Sequence, residues 1–133
     1  MEFFLFICSR NMKEIKKTLV IGASEKPDRY SNIAIRKLRN NNISVEAIAL
    51  RGGKVSDVVF KTGLPEFSNI HTVTLYIGPA RQVSYYKYIL DLKPKRIVFN
   101  PGTENAELEQ LAMESGIDVI EHCTLVMLDS GQF

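Results

Sequence analysis

Short apolar runs alternate along this chain with longer stretches of helical periodicity. Thr18-Leu19-Val20-Ile21 is such a run, closed by Gly22, and has the pattern of a strand covered on both faces. Ser31 is placed to cap a helix continuing to about Asn41, with Ile35 and Leu38 on its inner face. Residues 44–50 read as a second strand, ended by Arg51-Gly52-Gly53. The following segment, through Val58-Val59-Phe60 and Gly63-Leu64-Pro65-Glu66-Phe67, is irregular and has room for one short edge strand.

Residues 72–77 are rich in β-branched side chains and predict a further strand. Gly78-Pro79 breaks it, and proline suits the first turn of a helix running to about Leu92. In that helix Val83, Tyr86, Ile89 and Leu90 recur at helical spacing. Residues 96–99 predict another strand, stopped by Asn100-Pro101-Gly102. Thr103 can cap a helix striped by Leu108, Leu111 and Ala112, with Glu104 and Glu107 at its positive end and Gly116 just past its last turn. Residues 117–120 form the last strand. Strands alternating with helices require a parallel sheet, because parallel neighbours need crossovers. The expected fold class is α/β, a three-layer Rossmann-like doubly wound parallel sheet of five or six strands.

A chain of 133 residues accommodates one such domain and not a two-domain enzyme. With 45% apolar and 24% charged residues, a disordered or fibrous chain is excluded. The 17 basic and 15 acidic side chains nearly balance, so no nucleic-acid partner is expected and any affinity for phosphate must be local. Phe3-Phe4-Leu5-Phe6-Ile7-Cys8 falls well short of the roughly 20 residues of a membrane span, and it lacks the flanks of a secretion signal. Met12 opens Met-Lys-Glu-Ile-Lys-Lys just before the first strand. Residues 1–11 are therefore expected to be an extension outside the fold, and 12–133 the single domain. Packing of 1–11 as an extra strand or a dimer contact is the alternative. Two cysteines, Cys8 and Cys123, cannot build a disulfide framework. No membrane partner and a cytoplasmic location are expected.

In a doubly wound sheet, ligands bind beyond the carboxyl ends of the strands, where strand order reverses. The first such loop is Gly22-Ala23-Ser24-Glu25-Lys26-Pro27-Asp28-Arg29-Tyr30-Ser31. Its glycine lets backbone amides and a helix start approach a phosphate, with Lys26 and Arg29 close by. The dinucleotide fingerprint is incomplete, since Ser24 and Pro27 stand where the second and third glycines would be. An ordinary tight turn is the other reading. In the second loop, Leu50-Arg51-Gly52-Gly53-Lys54, a cation replaces the acid with which NAD-binding domains hold the ribose. A guanidinium there suits a ribose-attached phosphate, as in NADP or coenzyme A.

The remaining loops say less. The backbone of Ile77-Gly78-Pro79-Ala80-Arg81 could wall an adenine or pantetheine slot, or only start a helix. Asn100-Pro101-Gly102-Thr103-Glu104-Asn105 is dense in turn residues. His122 beside Cys123 suggests a nucleophile, but neighbours on a strand face opposite ways, and a packed cysteine is the expected reading. No metal site and no catalytic set are expected, since four soft ligands cannot be assembled.

In this order, the segments resemble the small stand-alone CoA-binding proteins, which share their fold with the N-terminal domain of the succinyl-CoA synthetase α subunit. The residues carrying the likeness are Val20-Ile21-Gly22-Ala23-Ser24 with Lys26-Pro27, Arg29-Tyr30-Ser31, Gly63-Leu64-Pro65, Asn100-Pro101-Gly102-Thr103-Glu104-Asn105, Gly116-Ile117-Asp118-Val119-Ile120, and Cys123. The resemblance implies that Gly22, Ala23 and Ser24 meet the phosphates, with Tyr30 and Ser31 at the helix start beside them. It implies that Leu50, Arg51 and Lys54 lie at the phosphorylated ribose, and that Ile77, Gly78 and Pro79 wall the adenine or pantetheine. Pro101 and Gly102 would line the far side, with Cys123 near the thiol end. Relatives often read Val-Asn-Pro after the second strand, where this chain has Ala-Leu-Arg-Gly-Gly, so that loop has its own geometry.

The expected function is binding of coenzyme A or an acyl-CoA without catalysis. An NADP-dependent oxidoreductase is the enzyme alternative, a redox or acyl-carrying role for Cys123 a third, and a scaffold with a vestigial site a fourth. The 79–92 helix and the aromatic N-terminus also leave a homodimer open.

Overall fold

The computed structural model describes residues 15–133, so the expectation for residues 1–11 lies outside the described residues. Five four-residue strands form the main sheet: β1 (Thr18–Ile21), β2 (Val45–Ile48), β5 (Thr72–Leu75), β6 (Arg96–Phe99) and β7 (Asp118–Glu121). Their order is β2-β1-β5-β6-β7, and every pairing is parallel. The ladders are flush: Ile21 sits level with Ile48 and Leu75, Leu75 with Phe99, and Phe99 with Glu121. All five carboxyl ends therefore reach one edge together. Between β1 and β5 the winding reverses, which opens a crevice at that edge.

Period-two alternation divides the core. Leu19, Ile21, Val73, Leu75, Ile97 and Phe99 face one side and meet Ile89, Leu108 and Ala112. Val20, Ala47 and Val98 face the other and meet Ile35, Leu38 and Met127. Each fully buried aliphatic side chain stabilises the fold by roughly 1.5–3 kcal/mol relative to exposure. The helices covering these faces are α1 (Tyr30–Asn40), α2 (Pro79–Gln82), α3 (Tyr86–Leu92), α4 (Ala106–Glu114) and α5 (Thr124–Asp129). The fold is thus the expected three-layer one, with five strands in its sheet.

Several local expectations are corrected. The irregular segment holds two strands, β3 (Lys54–Val55) and β4 (Val58–Val59), paired as a small antiparallel hairpin. Ser31 is not a cap. The Lys26 carbonyl accepts the Arg29 amide at 3.1 Å, and this turn starts the helix at Tyr30, leaving Arg29 at the cap position with no capping side chain. Thr103 is not one either: its hydroxyl turns back to the Asn100 carbonyl, while Asn105 accepts from the Glu107 and Leu108 amides. The 79–92 helix is broken by a 3₁₀ turn over Val83–Tyr85. That turn shifts the helical phase, leaving Val83 56% exposed and Gln82 fully buried.

Candidate functional site

The crevice between β1 and β5 widens into an open cleft of about 760 Å³, within the size range of small-molecule sites. Its walls bring together Gly22, Ala23, Ser24, Lys26, Arg29, Tyr30 and Ser31 of the first loop, and Leu50 and Arg51 of the second. Ile77 and Gly78 add a third wall, and Pro101 and Gly102 a fourth. Lys54, Pro79 and Cys123 are not on the cleft wall. Glu25, Gly52, Arg81 and Thr103 of the expected loops line it too, as do Ala49, Phe60 and Tyr76 outside them.

Gly22 and Ala23 do not present their amides to the cleft. Both donate to the Ile48 carbonyl, at 3.0 Å each, tying the first loop to β2. The loop is held further by the Asn32 amide group, which donates to the Ser24 carbonyl at 2.9 Å, and by the Lys26 amide on Ser24 Oγ. The donors left over are at the start of α1. The Tyr30, Ser31 and Asn32 amides have no protein acceptor among the described residues, the situation of any helix N-terminus that lacks a cap. Four cations line the cleft: Lys26, Arg29, Arg51 and Arg81. None of them forms an ion pair among the described residues. The cleft thus carries both positive charge and open backbone donors, the combination that holds phosphate.

Two buried polar clusters hold the far walls. Gln82 Nε2 donates to the Ile77 carbonyl at 2.9 Å and to the Thr103 carbonyl at 2.8 Å, so one side chain joins the third and fourth walls. Its own oxygen accepts from Asn105 Nδ2. Behind the sheet edge, Asn100 Nδ2 donates to Thr74 Oγ1 and the Leu75 carbonyl, while its oxygen accepts the Thr124 amide at 2.8 Å. Tyr76 reaches the same place. Its hydroxyl is buried without a hydrogen-bond partner among the described residues. Burial pushes the phenol up to about 12, and the neighbouring Thr124 and Thr74 oppose this only in part.

At the fifth loop β7 ends at Glu121, and Cys123 takes the cap position of α5. The Cys123 amide donates to His122 Nδ1 at 2.7 Å, so the imidazole is turned onto the backbone. Among the described residues no group of His, Cys, Asp and Glu could hold a metal ion. None of their helices is long and apolar enough to cross a membrane.

Solved structures share this architecture. A crystal structure of an uncharacterized protein, 43% identical, matches with a TM-score of 0.88 over 91% of this chain and 100% of its own. A Thermus thermophilus protein, 19% identical, matches with a TM-score of 0.79 over 99% of this chain and 97% of its own. A hypothetical protein from Pyrococcus horikoshii OT3, 24% identical, gives 0.79 over 97% and 89%. No curated protein matches the sequence. A family model described as a CoA binding domain matches residues 16–129.

Proposed function

The chain belongs to the CoA-binding domain family, and we propose that its cleft takes coenzyme A or an acyl-CoA by the phosphates, with no reaction of its own. The observation that carries this reading is the uncapped start of α1, placed at the switch point of the sheet in a cleft that Lys26, Arg29, Arg51 and Arg81 also line. The pyrophosphate would accept from the Tyr30, Ser31 and Asn32 amides, with Ser24 beside it. Arg51 would meet the ribose phosphate through its guanidinium fork. The apolar surfaces of Leu50, Ile77 and Phe60, with Pro101, leave room for the adenine and the pantetheine arm. Lys54 has no part in this arrangement, since it is off the cleft wall. A role for Cys123 is left out, because the thiol is off the cleft wall.

Isothermal titration of the full chain with CoA, acetyl-CoA, dephospho-CoA, NADP and NAD tests the proposal. CoA and acetyl-CoA are expected to bind within a few-fold of each other, and NAD more weakly than either. Binding of NADP alone would move the reading to a hydride-transfer enzyme. Binding of none of the five would remove the ligand assignment.

A further inference from the structure

Glu25 crosses from the first loop to the second. Its Oε2 accepts the Lys54 amide at 3.0 Å. Its side chain lies so close over Gly53 that a Cβ added there would meet its Cγ and Cδ at 2.7 Å. Gly53 has no positive φ, so this contact, rather than backbone conformation, is what glycine accommodates. Glu25 lines the cleft beside Leu50, Arg51 and Gly52, and forms no ion pair among the described residues.

The carboxyl end of the second strand lacks the acid that holds ribose hydroxyls in NAD-binding domains. The fold delivers one from the first loop instead, next to the arginine proposed for a ribose phosphate. A phosphate at Arg51 would share its loop with a carboxylate, whereas a hydroxyl could donate to it. We infer that Glu25 tunes the selectivity of the cleft at the ribose 3′ position, opposing Arg51 and so narrowing the advantage that a phosphate there has over a free hydroxyl. The inference rests on the CoA-binding reading and adds a specificity residue to it.

Dephospho-CoA and CoA differ only in that phosphate, so the ratio of their dissociation constants isolates the effect. Two variants disturb Glu25 by different routes. Glu25→Gln keeps an acceptor for the Lys54 amide and the contact on Gly53 but removes the charge. Gly53→Ala leaves the charge and pushes the side chain off the loop, at small cost because the colliding atoms belong to a flexible side chain. Both variants are expected to shift the ratio toward CoA by about two- to fivefold, the size of one exposed charge pair. The shift should shrink as salt is raised. An unchanged ratio in both variants overturns the inference and leaves CoA binding standing. Failure of the wild-type chain to bind either ligand overturns both.

Discussion

The Cβ that Gly22 lacks would lie 2.9 Å from Cγ2 of Ile77 and 3.0 Å from the carbonyl group of Tyr76. Gly22 also has a φ of +100°, where other L-residues are strained. Backbone from β1 and β5 can therefore approach closely at the head of the cleft only with glycine at this position. Gly22→Ala is expected to lower stability by about 2–4 kcal/mol, combining strain with overpacking against backbone that cannot give way. Urea denaturation of the two proteins checks it, and a loss under about 0.5 kcal/mol would contradict the packing described.

Gln82 is the next most exacting contact around the cleft. Replacing it by Leu leaves the Ile77 and Thr103 carbonyls and an Asn105 proton without their present partners. A loss of about 2–4 kcal/mol is expected, since each abandoned buried group costs about 1–3 kcal/mol and neighbours relax in part. Val83→Ala, one residue on, should cost under about 0.5 kcal/mol because that side chain is exposed. Equal costs at the two positions would mean that the helical phase is wrong.

That contrast marks what could be read from sequence. Runs such as Arg96 to Phe99 announced strands because both faces are covered, and their alternation with helices implied the parallel sheet and its ligand edge. Most of the cleft-lining loops followed from that edge alone. The 3₁₀ turn at Val83 was hidden, because a helical stripe of Val83, Tyr86, Ile89 and Leu90 looks the same whether or not one turn tightens. Helix α5 was missed because its six residues follow a strand directly and carry no side-chain cap. Tyr76 disappeared into an over-long strand. Glu25 stood in the first loop without a role, since only tertiary structure brings it to Gly53.

Tyr76 gives a spectroscopic prediction. Burial raises its phenol from 10 to about 12. The native state thus holds this proton more tightly than the unfolded chain. Its contribution to stability is complete below pH 10 and is lost as pH rises from 10 to 12. Absorbance titration at 295 nm should show a late phase near pH 12, smaller in Tyr76→Phe but not abolished, because burial raises Tyr88 to about 12 as well. The Phe variant should be at least as stable as the parent at pH 7, since the hydroxyl removed has no partner among the described residues. An unaltered late phase would place Tyr76 in solvent.

Arginines that line the cleft without ion pairs should matter to ligand and not to folding. Arg51→Ala is expected to weaken CoA about tenfold and dephospho-CoA by less, with a melting temperature within a degree or two of the parent's. Arg29→Ala should weaken both ligands alike, because it stands at the shared pyrophosphate. Titration calorimetry on the two variants distinguishes these patterns. Equal losses for both ligands in Arg51→Ala would move Arg51 away from the ribose phosphate.

Amide mapping by NMR tests the central claim most directly. On titrating the ¹⁵N-labelled chain with CoA, the largest shifts are predicted at Ser24, Glu25 and Tyr30 to Asn32, with smaller ones at Ile77, Gly78, Gly102 and Thr103. Shifts confined to the opposite end of the sheet, around Asn69, His71 and Lys93, or none at millimolar CoA, would contradict it.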